Sequence, residues 1–203
     1  MLYKTIIKTI KALEVSEITE NRKIVLQPLI DYLKDKVKAN KPIRLNFICT
    51  HNSRRSHLTQ VWAQAMAAYF NVNNVVCYSG GTEATAMFPK VSETLNNQGF
   101  SIVKLSETEN PVYSIKFSEN EPSVIAFSKQ FSHAFNPASG FAAIMTCSSA
   151  DGGCPFVLGS DKRIAITYED PKASDGTPQQ TETYFNRSLQ IATEMKYVFS
   201  SLN

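Results

Sequence analysis

The run Ile43-Arg44-Leu45-Asn46-Phe47-Ile48-Cys49 is short, largely apolar and ends at a thiol, and the chain then turns polar at once: Thr50-His51-Asn52-Ser53-Arg54-Arg55-Ser56. Helix-forming sequence follows from His57 to Phe70, with Leu58, Val61, Trp62, Ala65 and Met66 on one face. A buried strand that feeds a helix through a tight polar loop opens a βαβ unit. It commits the chain to an α/β fold, a three-layer arrangement with a mainly parallel central sheet. Ligands of such sheets bind beyond the carboxyl ends of the strands, near a topological switch point. The segment after Cys49 is therefore the place to look for function.

The rest of the chain continues the pattern. Val75–Ser79 reads as a second strand broken by Gly80-Gly81, and Lys90–Asn97 as a helix closed by Gly99. Val112–Ser118 and Ser123–Lys129 read as an inserted β-hairpin turning at Glu119-Asn120-Glu121-Pro122. Phe141–Thr146 and Arg163–Tyr168 read as further strands, and the chain is amphipathic from Thr181 to its end. Before the first strand, Leu2, Ile6, Ile7, Ile10 and Leu13 form a helical stripe. Ser16 is the expected cap of a second helix carrying Ile24, Leu29, Ile30, Leu33 and Val37, with a kink or break at Pro28. This gives an N-terminal helical extension over 1–41 and one domain over 42–203.

Composition narrows the class. Hydrophobic residues at 43% and charged residues at 19% of 203 describe a globular chain, which excludes disordered and fibrous classes. No apolar run is long enough to span a bilayer, and Met1–Leu13 carries three lysines without a small-residue cleavage site. The expectation is a cytoplasmic protein with no membrane partner. Net charge is +3, too little to argue for nucleic acid. Residues 1–44 hold ten Lys/Arg against five Asp/Glu (+5), and the remainder eleven against thirteen (−2). Acidic Glu14, Glu17, Glu20, Asp31 and Asp35 interleave with the basic residues, as on a solvated helix face.

Cys49, Cys77, Cys147 and Cys154 are too few for a disulfide framework, and His51, His57 and His133 do not pair with them at zinc-site spacings. Zinc thus fails on ligand supply, and each thiol is left as a buried small hydrophobe or a reactive group. The Cys49 loop suits one. Backbone N–H groups curling into a helix N-terminus cradle a tetrahedral oxyanion, and the same positive helix end favours a thiolate. Arg55 can grip two oxyanion oxygens, Ser56 can donate to the sulfur, and Asn52 suits a left-handed backbone position. Cys77, inside a strand, reads as core, and His133 as a loop residue. Phe88, Tyr113 and Phe135 are candidates for lining a phenolic pocket.

The stretch NFICTHNSRRS resembles the active-site loop of the low-molecular-weight protein tyrosine phosphatase superfamily, shared by small tyrosine phosphatases and thioredoxin-coupled arsenate reductases. Tyr78-Ser79-Gly80-Gly81-Thr82, Ala86 to Pro89, and Glu169-Asp170-Pro171 match further family segments, and the resemblance spans about 43–200. It implies an oxyanion loop of Thr50, His51, Asn52, Ser53, Arg54, Arg55 and Ser56, with Cys49 as nucleophile and Asp170 as general acid. Cys147-Ser148-Ser149-Ala150-Asp151-Gly152-Gly153-Cys154-Pro155 resembles the redox loop of the reductases, which small phosphatases generally lack. There, two cysteines seven apart carry oxidation away from the active site, and Gly152-Gly153 would give the loop its freedom.

The resemblance therefore implies arsenate reduction through a Cys49, Cys147, Cys154 relay, with thioredoxin as reductant and no metal or organic cofactor required. The alternative is a phosphatase acting on a phosphoester through a phosphocysteine. A third class is an oxyanion-binding or redox-sensing module whose basic N-terminal helices contact a partner. His51 stands where both branches usually have Gly, Arg54 where a small or apolar residue is usual, and Gln60 where the reductases tend to carry the Glu of a potassium site. The stretch Ser106–Gly140 is longer than the family's usual connection.

Overall fold

The computed structural model describes residues 1–154 and 156–202. Pro155, matched above to the redox loop, lies outside the described residues. The elements are α1 (Lys4–Ala12), α2 (Glu20–Lys38), β1 (Ile43–Cys49), α3 (Arg55–Tyr69), β2 (Val75–Gly81), α4 (Pro89–Asn97) and β3 (Ser101–Lys104). They continue with β4 (Tyr113–Lys116), β5 (Val124–Ala126), β6 (Phe141–Met145), α5 (Ser148–Gly153), β7 (Ser160–Ala165) and α6 (Gln180–Ser200).

The central sheet is parallel, in the order β2-β1-β6-β7. From β1 the chain passes through α3 to β2 on one side, and β6 lies on the other side. The carboxyl ends of β1 and β6 thus flank the switch point, and the Cys49 loop leaves from it. Leu45 and Phe47 of β1 and Ala142 and Ile144 of β6 face the main core, which α2, α3 and α6 complete. Ile48, Phe141, Ala143 and Met145 face the opposite way, into a smaller cluster closed by α5 and Val157. α3 is buried on nearly all sides, with Leu58, Val61, Trp62 and Met66 fully enclosed. Its buried polar residues are each bonded: Thr59 to the Arg55 carbonyl, Gln60 to the Cys77 carbonyl, and His57 Nδ1 to Ser79.

Several expectations shift. Thr19, not Ser16, caps α2, accepting from the Arg22 N–H at 3.3 Å, while Ser16 lies in a 3-10 turn. α2 runs through Pro28 without a break. The proline removes the donor for the Ile24 carbonyl, and Ile24 is 70% exposed, so water can serve that carbonyl. Ile24 and Val37 point to solvent, and Leu26 joins Leu29, Ile30 and Leu33 in the core. Gly80 and Gly81 extend β2 rather than break it. β7 starts at Ser160 instead of Arg163, although Ile166 and Tyr168 still donate to the Met145 and Thr146 carbonyls.

The hairpin strands are shorter than expected, and β3 joins them in an antiparallel sheet of order β3-β4-β5. With Ile102 half-buried and its neighbours exposed, β3 offers little alternation to read. Residues 1–41 enter the same core as the sheet through Ile6, Ile10, Leu26, Leu29 and Leu33. Tyr3 N–H donates to the Phe117 carbonyl, and Lys196 Nζ donates to the Ile10 and Leu13 carbonyls at the end of α1. Among the described residues, no helix is long and apolar enough to cross a membrane.

Candidate active site

Cys49 is the last residue of β1 and is 3% exposed. The loop after it is held from outside by its carbonyls. Cys49 O accepts from Thr82 N, Thr50 O from Glu83 N, and Ser53 O from Phe88 N. His51 O accepts from Ser128 Oγ at 2.8 Å and from Thr85 Oγ1 at 3.2 Å. With the carbonyls turned outward, the N–H groups of residues 51–54 have no acceptor among the described residues. That is the polarity of an anion cradle at a helix N-terminus, here the start of α3.

Asn52 makes the curvature possible. Its φ of 44° is left-handed, which asparagine tolerates better than most residues. Its side chain is fully buried and bonded at both ends: Nδ2 donates to Ser56 Oγ at 2.9 Å, and Oδ1 accepts from Lys129 N at 3.0 Å. Ser56 Oγ lies 3.1 Å from Cys49 Sγ. Ser53 Oγ donates to the Ala86 carbonyl at 2.7 Å, so that hydroxyl braces the loop. Gly81 lets the loop lie against β2. A Cβ there would fall 2.3 Å from Glu83 O, 2.6 Å from Thr50 O and 2.7 Å from Asn52 N.

Arg55 opens α3 and faces the loop after β7. Nη1 donates to the Tyr168 carbonyl at 3.0 Å, and Nη2 to Asp170 Oδ2 at 2.5 Å. Its Nε is buried with no partner among the described residues. Asp170 also receives Lys172 N on Oδ1, as the cap of a 3-10 turn. Cys49, His51, Ser53, Arg54, Arg55 and Asp170 enclose a cavity of only about 10 Å³. That is room for about one water.

Arg54 is turned toward other partners. Nε donates to Tyr184 Oη and Nη2 to Asp175 Oδ2, and the guanidinium lies 4.2 Å from the Phe88 ring centroid. His51 reaches outward to Glu83, 3.5 Å away. Of the aromatic candidates, Phe88 borders the loop through Arg54, Tyr113 is buried in the small sheet, and Phe135 lies against Lys129. Cys77 is core, and burial pushes its thiol up. His133 is a loop residue whose Nδ1 accepts from Phe135 N.

The segment after β6 is a short helix rather than a loop. Cys147, 1% exposed, caps α5 through Sγ, which accepts from Ala150 N, and Cys154 ends the helix half-buried. Thr50 Oγ1 is 3.5 Å from Cys147 Sγ. Cys49 and Cys147 belong to one buried apolar cluster, with Cys154 packed against it, and all are free thiols.

No protein-family model matches the chain. An arsenate reductase of Bacillus licheniformis is 25% identical over 142 residues, covering 70% of this chain and 83% of that protein. A solved arsenate reductase in its oxidised state superposes with a TM-score of 0.52 at 14% identity, covering 79% of this chain and 98% of that one. A low-molecular-weight protein tyrosine phosphatase from T. tengcongensis superposes at 0.51 and 16% identity, covering 79% and 97%. The two superpositions carry the fold, and the arsenate reductase match carries the sequence. The chain has the fold that solved arsenate reductases and low-molecular-weight protein tyrosine phosphatases share.

Three supports of the site escaped the sequence. Ser128 and Lys129 reach the loop from the long 106–140 stretch, which also lays Gln130 beside Gly81 as a parallel bridge. Arg163 of β7 clamps α5, donating from Nε to the Cys154 carbonyl at 2.8 Å and from Nη2 to Asp151 Oδ1 at 2.5 Å. Asp151 is thereby a structural partner in the Cys147–Cys154 segment. His57 lies beneath the loop, where burial, helped by the Lys129 charge, pushes its pKa down to about 3. None of these positions has a local signal, because each contact joins segments far apart in the chain.

Proposed function

We propose that this enzyme reduces arsenate to arsenite with a three-thiol relay. The observation that carries the reading is the gathering of Cys49, Cys147 and Cys154 around one buried cluster beside an anion cradle. The Arg55 Nε with no partner supports it, since an oxyanion oxygen supplies the missing acceptor.

The Cys49 thiolate attacks arsenic, and Asp170 gives its proton to the departing oxygen, which leaves as water. Opening of the Arg55–Asp170 pair frees both groups for these roles. Ser56 stabilises the sulfur, and Arg55 with the loop N–H groups holds the oxyanion charge. The Cys147 thiolate then attacks Cys49 Sγ. The sulfur–arsenic electron pair stays on arsenic, which departs as arsenite and leaves a Cys49–Cys147 disulfide. Cys154 attacks Cys147, freeing Cys49. A dithiol reductant of the thioredoxin class reduces the Cys147–Cys154 disulfide.

The last exchange needs α5 to unwind. Seven residues of helical rise set Cys147 and Cys154 about 10 Å apart, beyond the roughly 7 Å a disulfide allows. That separation favours one second reading, phosphoester hydrolysis through a phosphocysteine. Hydrolysis needs only Cys49, Arg55 and Asp170, and no rearrangement of α5.

The test is arsenate-dependent NADPH consumption with thioredoxin and its reductase, beside para-nitrophenyl phosphate hydrolysis, for wild type and Cys147→Ser. The relay predicts reduction abolished and hydrolysis kept in the variant. Hydrolysis in both proteins without arsenate-dependent consumption in wild type would make the enzyme a phosphatase.

A further inference from the structure

Lys129 is placed strangely for a lysine. The residue is 2% exposed, and its side chain does not run out to water. Nζ donates to the Phe127 carbonyl at 3.2 Å and lies 4.3 Å and 5.3 Å from the ring centroids of Phe127 and Phe135. Among the described residues, no carboxylate pairs with it. An ammonium buried with one carbonyl and two ring faces is poorly compensated for its lost water. If packing alone were needed, methionine would supply the stem without that cost.

Its position gives the charge a use. The Lys129 N–H is bonded to Asn52, which holds Ser56 and through it the Cys49 sulfur. Neighbouring Ser128 holds the His51 carbonyl. The Lys129 charge also reaches His57 in the first turn of α3, where it disfavours imidazolium. The ammonium therefore belongs to a residue bonded to the loop and lies within electrostatic reach of His57, the residue that follows Ser56.

We propose that the buried Lys129 ammonium supplies fixed positive charge to the oxyanion cradle of residues 49–55, acting through space without touching the substrate. The proposal rests on the reading of that loop as an oxyanion site. Lys129 is a positioning residue: its backbone N–H orients Asn52, and its side chain sets the potential. Burial lowers its amine to about 7, so the charge is present below neutrality and is lost as pH rises through it. Anion affinity follows in the same sense. The titratable groups around Lys129 are His57 from α3, His51 with its partner Glu83 on the loop side, His133 on its own segment, and Tyr78 of β2 behind Phe135. Burial holds His57 neutral above about 3, which leaves His51 and His133 as the neighbours to remove.

The experiment measures equilibrium sulfate binding from about pH 5.5 to about 9, where sulfate keeps its charge and arsenate does not. The parent protein carries Cys49→Ser, His51→Asn and His133→Asn, so that the thiol and both neighbouring imidazoles are absent. Parent affinity should fall roughly tenfold across neutrality. Lys129→Met should bind at the weaker level throughout, and Lys129→Arg, charged at every pH, should bind at the stronger level throughout. Equal affinity and equal pH profiles in parent and Lys129→Met overturn the proposal. If Lys129→Met does not fold, a parent profile that is flat, or that matches Lys129→Arg, overturns it. Absence of sulfate binding in every protein at every pH rejects the oxyanion reading itself, a different failure.

Discussion

The two thiol-bearing segments, 49–56 and 147–154, are built on opposite rules. The first is over-determined: its carbonyls, the Asn52 and Ser53 side chains and the close face of Gly81 are all engaged by partners on other segments. The second is a six-residue helix whose Gly152 and Gly153 have open space where a Cβ would be, tied down chiefly by Arg163. A preorganised anion cradle needs no movement at the moment of reaction, so rigidity serves it. A thiol relay needs its second and third sulfurs to change distance, so marginal local structure serves that one. On the proposed reading, a rigid thiol loop lies beside a segment able to unwind.

The largest expected effect breaks the rigid side. Gly81→Ala puts a methyl within 2.7 Å of three backbone atoms, two of them in the loop, and backbone cannot step aside as a flexible side chain can. Arsenate reduction and phosphoester hydrolysis should both fall more than about a hundredfold, with stability lowered by about 2–4 kcal/mol, a cost typical of severe overpacking. Steady-state kinetics and urea melts measure it. Wild-type activity would show that the loop yields more readily than its contacts imply.

Asn52→Ala comes next. It removes the donor to Ser56 Oγ, which keeps only the Cys49 sulfur, and leaves the buried Lys129 N–H unpaired, all at a left-handed position. A loss of about 2–3 kcal/mol is expected, with both activities reduced together because the fault lies in the shared cradle. A loss confined to reduction would contradict that placement.

How much of this contrast could be read from the chain differs between its two halves. The Cys49 loop was legible because its determinants are local: an apolar strand, a thiol, an asparagine able to take positive φ, and an arginine opening a helix. The parallel sheet followed from the same strand–loop–helix grammar. Gly80-Gly81 misled, since a pair of glycines reads as a break when its purpose is close approach of another segment. The Cys147 segment read as a loop for a related reason: Gly152-Gly153 lowers helix propensity, and the Arg163 clamp that holds α5 comes from β7. Ser128 and Lys129 were invisible as site residues, because their contacts with His51 and Asn52 span 77 residues.

A pH melt sharpens the rigid side further. His57 beneath the cradle is pushed down to about 3 by burial, against an ordinary value near 6.5. Between those values the unfolded chain binds the extra proton and the folded one does not, so stability falls as pH drops through that window. His57→Gln should flatten this part of the curve, read as urea midpoints between about pH 4 and 7. A wild-type curve as flat as the variant's would mean that the folded protein accommodates the imidazolium.

The smallest effect falls on the flexible side and separates the two segments most cleanly. Neither Gly152 nor Gly153 has a positive φ, and a Cβ on either meets nothing within 4 Å, so alanine fits both. Each substitution favours the helical state by about 0.5–1 kcal/mol. If Cys154 reaches Cys147 only after α5 unwinds, the double variant raises that step by about 1–2 kcal/mol and slows it about five- to thirtyfold. Arsenate-dependent NADPH consumption should drop accordingly wherever this exchange limits turnover, and single-turnover trapping of the Cys49–Cys147 disulfide should show that species accumulating. Hydrolysis of para-nitrophenyl phosphate, which uses only the cradle, should not change. An equal loss of both activities would mean that α5 supports the cradle instead of relaying from it, and the division between the two segments would not hold.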